Sequence, residues 1–224
     1  MPAKRTARTI RSFVLRQGMT TPSQHRALQE LFPRFGIPFA DRGLDFKAAF
    51  GRTAPVVLEI GSGMGETTAE IAQANPGTDF IAVEVHGPGV GSLLKKIDAL
   101  GLKNLRIIRH DAVEVLERMI PDGSLAGLHL FFPDPWPKKR HHKRRLVQPP
   151  FAALAARKLS PGGGMHAATD WPDYAAQIEE VFSANSFFKK DPADKKSRPI
   201  TKFERRGLGL GHPVRDLLFL RRQE

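Results

Sequence analysis

Residues 131–145 read FFPDPWPKKRHHKRR: an apolar run, a single carboxylate between two prolines, a tryptophan, and a cationic stretch without an acid. A lone aspartate here can orient or polarise a reacting group, while lysines and arginines neutralise phosphates. Asp134 and the residues after it are therefore candidates for two separate tasks. The plainer reading is a buried strand that ends in a proline turn and is followed by the solvated face of a helix.

A second constellation lies upstream. In VVLEIGSGMGETT, Gly61, Gly63 and Gly65 follow an apolar run and open a helical pattern, where glycine permits a sharp turn and the close approach of a ligand to the backbone. About twenty residues on, Glu84 is spaced to accept hydrogen bonds from ribose hydroxyls; the plainer role is a solvated strand end. A dinucleotide fingerprint would place a small residue at position 66, which is Glu66, and a glutamate there repels the pyrophosphate that such a helix end binds. With Glu59 just before the loop, the charges suit a cofactor with cationic centres. S-adenosylmethionine carries a sulfonium, an ammonium and an adenosine: Glu59 can face its methionine end and Glu84 its ribose. Asp111, after LRIIRH, can hold the adenine edge or cap the helix AVEVLERM, and the two roles are compatible.

The elements that must position these residues alternate. PVVLEI, DFIAVEV, LRIIRH, SLAGLHLFF and GGGMHAAT read as strands, and GETTAEIAQA, GVGSLLKKIDAL, AVEVLERM and KRRLVQPPFAALAARKL as helices. This pattern predicts an α/β, doubly wound, mostly parallel sheet covered on both faces. The strands are continuous apolar runs, as double-sided burial requires. KFERRGLGLGHPVRDLLFL reads as two strands around a Gly-rich loop that add an antiparallel C-terminal edge hairpin. Residues 1–50, basic and broken by proline and glycine, are expected to form a partly flexible arm with a short helix at TPSQHRALQELF, ahead of a domain over 51–224. DPADKKSRP is expected to be mobile.

Composition bounds the rest. A hydrophobic fraction of 41% in 224 residues supports a sizeable core, and a net charge of +12 favours a polyanionic partner. Nucleic acid leads, with an anionic membrane surface second. No apolar stretch suits a membrane span and MPAKRTARTI lacks a signal's apolar core, so a cytoplasmic protein is expected. With no cysteine, thiolate chemistry and Cys-ligated metal are excluded; no ligand spacing suggests a metal. His110 and His166 read as structural, and Ser62 has no triad around it.

Several segments together resemble the bacterial tRNA (guanine-N7)-methyltransferase family, over nearly the whole chain: RSFVLRQG, TPSQHRAL, LEIGSGMG, AVEVHGPGVGSLL, HDAVEVL, FFPDPWPKKRHHKRR, ATDW and TKFERRGLGLGHPVRDLLF. The resemblance implies a class I, Rossmann-like methyltransferase fold, S-adenosylmethionine as cofactor and tRNA as partner, the target being position 46 of the variable loop in standard tRNA numbering. By correspondence the cofactor contacts Glu59, Glu84, Asp111 and Asp134; the substrate contacts Lys138, Asp170, Thr201, Lys202, Phe203 and Glu204. Arg140, His141, His142, Lys143, Arg144 and Arg145 match the RNA-interacting segment. Ser62 stands where an aromatic residue is common and His142 where asparagine is expected. A monomer or a homodimer is compatible with the sequence.

Guanine N7 has an exposed lone pair and no proton to lose, so alignment and electrostatics suffice and no general base is needed. Asp134 then accepts hydrogen bonds from guanine N1 and N2 or offsets the positive charge of the alkylated base, with Asp170 and Glu204 as other candidates for that edge. Trp136 can stack on a base, meet the cationic cofactor, or pack on the prolines. Trp171 reads as packing at a helix start, and Phe203 as a base platform or hairpin core. Two alternatives remain: a methyltransferase for another RNA or base, and an inactive RNA-binding module.

Overall fold

The computed structural model describes residues 11–13, 20–191, 198–199, 204 and 213–223. Among them, β1 (Val56–Ile60), β2 (Asp79–Val83), β3 (Leu105–Ile108), β4 (Leu125–Phe131), β5 (Leu159–Thr169), β6 (Phe188–Lys190) and β7 (Arg215–Arg221) form one sheet in the order β3-β2-β1-β4-β5-β7-β6. The first five pair in parallel; β7 runs antiparallel to both β5 and β6. The chain builds outward from β1 through β2 to β3, then crosses back to add β4 on the other side. The C-terminal ends of β1 and β4 therefore part at a topological switch point, where open α/β sheets bind ligands.

Helices cover both faces because the parallel strands are apolar on both. In β2, Phe80 and Ala82 meet Ala69 and Ala72 of α4 (Glu66–Ala74) and Leu93, Leu94 and Ile97 of α5 (Gly87–Ala99). Ile81 and Val83, pointing the other way, join the cluster of α6 (Ala112–Arg118), α7 (Pro149–Lys158) and α8 (Pro172–Ser183). Phe182 of α8 stacks on Phe219 of β7, both fully buried, and each such burial contributes about 1.5–3 kcal/mol.

Residues 20–50 pack onto this body. α1 (Pro22–Glu30) opens with a capping box in which the Thr21 hydroxyl accepts from the Gln24 N–H and the Gln24 side chain accepts from the Thr21 N–H. Its Ala27 is buried in the α4–α5 cluster. After α2 (Phe32–Phe35), the Ile37 N–H donates to the Ile107 carbonyl at 2.8 Å and covers the outer edge of β3; α3 (Phe46–Phe50) follows. The rest of the expected arm, with Arg5, Arg8, Arg16 and most of RSFVLRQG, lies outside the described residues, as do residues 192–197 of DPADKKSRP.

Two local expectations are revised. The partner of β7 at the sheet edge is the three-residue β6, upstream of DPADKKSRP; the expected partner KFERR lies largely outside the described residues, and Glu204 within it is helical. The helix expected from the basic run begins only at Pro149, because Pro149 and Pro150 lack N–H donors and suit its first turn. The basic residues Lys139–Arg144 form a separate 3-10 turn.

Candidate active site

A cavity of about 690 Å³ opens at the switch point, its walls including Gly61, Glu84, Asp111, Asp134, Trp136 and Lys138. The loop after β1 supplies the floor. Gly61, Gly63 and Gly65 take φ of 75°, 56° and 78°, values that glycine adopts without strain. A Cβ on Gly61 or Gly63 would meet no protein atom within 4 Å, so the bare backbone there faces open space.

Glu84 ties the floor to the next strand. Its two carboxylate oxygens accept from the Gly63 and His86 N–H groups, each at 2.8 Å. An ionised carboxylate has about four acceptor positions, leaving capacity for ribose hydroxyls. Asp111 caps α6 by accepting from the Val113 N–H at 2.8 Å and also lines the cavity. Glu59 lies within β1, is buried and is absent from the cavity wall; burial, with the nearby Glu84 charge adding to it, pushes its carboxyl up to about 7. A cation seated nearby would favour its ionised form. Bare loop backbone with Glu84 and Asp111 along the wall fits S-adenosylmethionine.

Asp134 projects from the end of β4. The turn that carries it is strained on both sides: Phe132 has φ 51° and Trp136 φ 47°, left-handed values that cost bulky residues about 1–3 kcal/mol each. Pro133, Pro135 and Pro137 restrict the residues before them as well. The Phe132 N–H is anchored to the Ala168 carbonyl of β5 at 2.7 Å. The Asp134 carboxylate is exposed in the cavity wall and has no hydrogen bond or ion pair among the described residues.

Arg145 secures the far side of this turn. Its side chain is 1% exposed. Nε donates to the Pro135 carbonyl at 2.8 Å, Nη1 to Gln177 at 2.7 Å and Nη2 to Asp173 at 2.6 Å, with the guanidinium over the Tyr174 ring. The His142 Nε2 lies 3.1 Å from Arg145 Nη2. A guanidinium only donates, so that nitrogen is the acceptor of the contact, and it also lies 3.8 Å from Asp173. Arg145, expected on the RNA surface, turns inward and joins the Asp134 turn to α8; His142 is half-buried against it.

Comparison with known proteins fits this geometry. The family described as "Putative methyltransferase" matches residues 53–217. Proteins named tRNA (guanine-N(7)-)-methyltransferase are similar along almost the full chain: 55% identity with that of Nitrosomonas europaea, covering 95% of this chain and 96% of that one. The Chromobacterium violaceum protein is 56% identical over 96% and 97% of the two chains, and that of Burkholderia vietnamiensis 58% over 96% and 86%. The chain belongs to the tRNA (guanine-N7)-methyltransferase family. Two solved structures share the fold at 19% identity: 16S rRNA methyltransferase KamB, with a TM-score of 0.58 over 81% of this chain and 95% of that one, and TrmN from Thermus thermophilus, with 0.55 over 79% and 46%. They are class I methyltransferase folds.

Within this tRNA methyltransferase scaffold the remaining expected site residues divide. Lys138 lines the cavity, whereas Asp170, one residue past the end of β5, is absent from its wall. Thr201, Lys202 and Phe203 lie outside the described residues. Glu204 is buried against Arg198, 2.5 Å away, and is absent from the cavity wall. Lys138, Lys139, Arg140 and Lys143 are exposed cations. Arg144 lies 4.8 Å above the Trp136 ring, whose Nε1–H donates to the Ser12 carbonyl at 3.1 Å. Trp136 is therefore held by protein contacts on one face and at its nitrogen. Partial burial, then the charges of Arg140, Arg144, Lys138 and Lys143, push the His141 pKa down; its ring lines the cavity. Trp171 is exposed at the start of α8 rather than packed. His110 stacks on Phe39 and bonds Glu114; His166 pairs with Asp216. Among the described residues no His, Asp and Glu group is arranged to hold a metal, and no helix is long and apolar enough to cross a membrane.

Sequence reasoning passed over Gly89. A Cβ there would lie 2.4 Å from the Gly63 carbonyl oxygen, so its absence lets α5 press against the glycine loop. The signal was present in HGPGVG, where small residues crowd one helical turn.

Proposed function

We propose that this chain transfers the methyl group of S-adenosylmethionine to N7 of a guanine in tRNA, at position 46 of the variable loop by family correspondence, forming 7-methylguanosine. The observation that supports this most directly is Asp134: a carboxylate with no hydrogen bond or ion pair among the described residues, fixed by a strained turn, in the wall of the cavity that holds Gly61, Glu84 and Asp111. When bound, the cofactor supplies a methyl carbon made electrophilic by its sulfonium.

The protein's own residues supply alignment. Glu84 and Asp111 fix the adenosine half, Glu59 favours the cationic end, and the bare backbone of the glycine loop gives close approach. Asp134 accepts from the N1–H and N2–H groups of guanine and orients N7. N7 bears no proton, so none has to be removed before attack; the charge gained by the base is offset by Asp134 in a partly desolvated site. Lys138, Lys139, Arg140 and Lys143, with Arg144, hold phosphates and set the register of the RNA. Thr201, Lys202 and Phe203 are assigned to the substrate by family correspondence. A tRNA substrate supports a cytoplasmic location.

The test is turnover of purified protein with labelled cofactor and unmodified tRNA, followed by identification of the product nucleosides. Label in 7-methylguanosine is expected; label in another nucleoside, or none, overturns the reading.

A further inference from the structure

Behind the Asp134 turn lies a buried charged cluster that the proposed reaction does not use directly. The Arg198 guanidinium, with its side chain 2% exposed, donates Nε and Nη2 to the two carboxylate oxygens of Asp216 at 2.6 and 2.8 Å, and Nη1 to Glu204 at 2.5 Å. His166 of β5 places Nε2 2.8 Å from the same Asp216. Burial alone would raise the Asp216 carboxyl, but the hydrogen bonds from His166 and Arg198 outweigh it and hold it below the usual range. The guanidinium carbon lies 5.6 Å from the Phe131 ring centre and 5.5 Å from that of Phe132.

These contacts meet at one place. Phe131 ends β4, and Phe132 carries the left-handed φ that starts the turn. A strained residue of this kind persists only where its surroundings over-determine it. Arg198 lies over both rings, its fork locked by carboxylates from β7 and from the segment containing Glu204. A lysine could supply the charge but not the planar, bidentate fork or its stacking.

We propose that Arg198 is a positioning residue for methyl transfer: it fixes the strand end and turn that present Asp134, and uses Glu204 and Asp216 as its own anchors. The inference rests on the assignment of Asp134 to the guanine. Glu204 then serves the site through Arg198, which accounts for its burial away from the cavity wall.

The test combines Arg198→Met and Arg198→Lys with Asp134→Asn, the double variant Arg198→Met/Asp134→Asn, and Phe182→Leu as a destabilised control remote from the site. Single-turnover rates at saturating cofactor and tRNA are read beside the Kd of each and the Tm. Arg198→Met is expected to fold and to lose about 10- to 100-fold in rate, as misplacement of a reacting group does, with each Kd changed less than about 3-fold. The double variant should be no slower than Asp134→Asn alone, the non-additivity of residues acting through one another. Phe182→Leu, at a comparable loss of Tm, should keep the wild-type rate. Additive losses, a loss confined to Kd, or an equal loss in Phe182→Leu overturns the inference. If Arg198→Met does not fold, Arg198→Lys decides: a reduced rate supports the role and a wild-type rate ends it. Should Asp134→Asn itself retain full rate, the assignment of Asp134 fails, and the inference with it; a slow Asp134→Asn beside a fast Arg198→Met defeats the Arg198 inference alone.

Discussion

Arg145 Nε and the Pro135 carbonyl oxygen are 2.8 Å apart, so a cation from the basic run grips the peptide next to Asp134 from inside the protein. The same guanidinium reaches α8 through Asp173 and Gln177. A stretch that looks uniform in sequence thus contains exposed cations and one structural clamp.

Replacing Arg145 with methionine should lower stability by about 2 kcal/mol, the scale of removing hydrogen bonds to a charged group. The loss stays moderate because the partner Asp173 is 64% exposed and remains solvated. Turnover should fall as the turn loosens. The slope of log K for tRNA against log salt should not move, and a salt titration beside thermal melts checks both.

The exposed cations should behave in the opposite way. Alanine at Lys139, Arg140 and Lys143 together is expected to weaken tRNA binding and to flatten that salt slope by roughly 0.7–0.9 for each phosphate no longer neutralised. Thermal stability should stay within about 0.5 kcal/mol, as for surface changes. An unchanged slope would remove these residues from the RNA interface.

Asp134→Asn preserves shape and removes the charge. Single-turnover methylation should fall by about 100- to 1,000-fold, the scale of removing one electrostatic interaction from the transition state, while tRNA and cofactor affinities change little. Normal chemistry with impaired binding would contradict the assignment.

Glu59 gives a pH signature. Its carboxyl is raised from 4.5 to about 7 in the fold, so between those values the native state binds more protons than the unfolded chain. Stability of the ligand-free protein therefore falls as pH rises through that window, by about 3 kcal/mol in total. Glu59→Gln should abolish this fall and melt higher than wild type above pH 7. A cationic cofactor favours the ionised form, so wild-type affinity for S-adenosylmethionine should tighten as pH rises towards 7, and that dependence should vanish in Glu59→Gln. Melting curves and titration calorimetry across the window check both signs.

The glycine loop, Glu84 and Asp111 were legible in the sequence because they follow local rules of strand, turn and helix. Asp134 was legible because one short segment concentrates strand end, prolines and charge. The inward turn of Arg145 was not: the short 3-10 turn before it has no amphipathic period to separate inward from outward residues. Nor was Arg198, whose partners Glu204, Asp216 and Phe132 come together only through the sheet order. The basic composition of residues 1–50 suggested an arm and obscured the docking of α1, although TPSQ spelled out its cap. β6 was missed because three residues are too few to show a strand pattern.

The left-handed residues on either side of Asp134 also set the order in which heat undoes the molecule. Phe132 and Trp136 are kept from relaxing by their neighbours, so their turn can let go while β1 to β5 remain paired. On warming, activity should fade before the sheet melts and return on cooling.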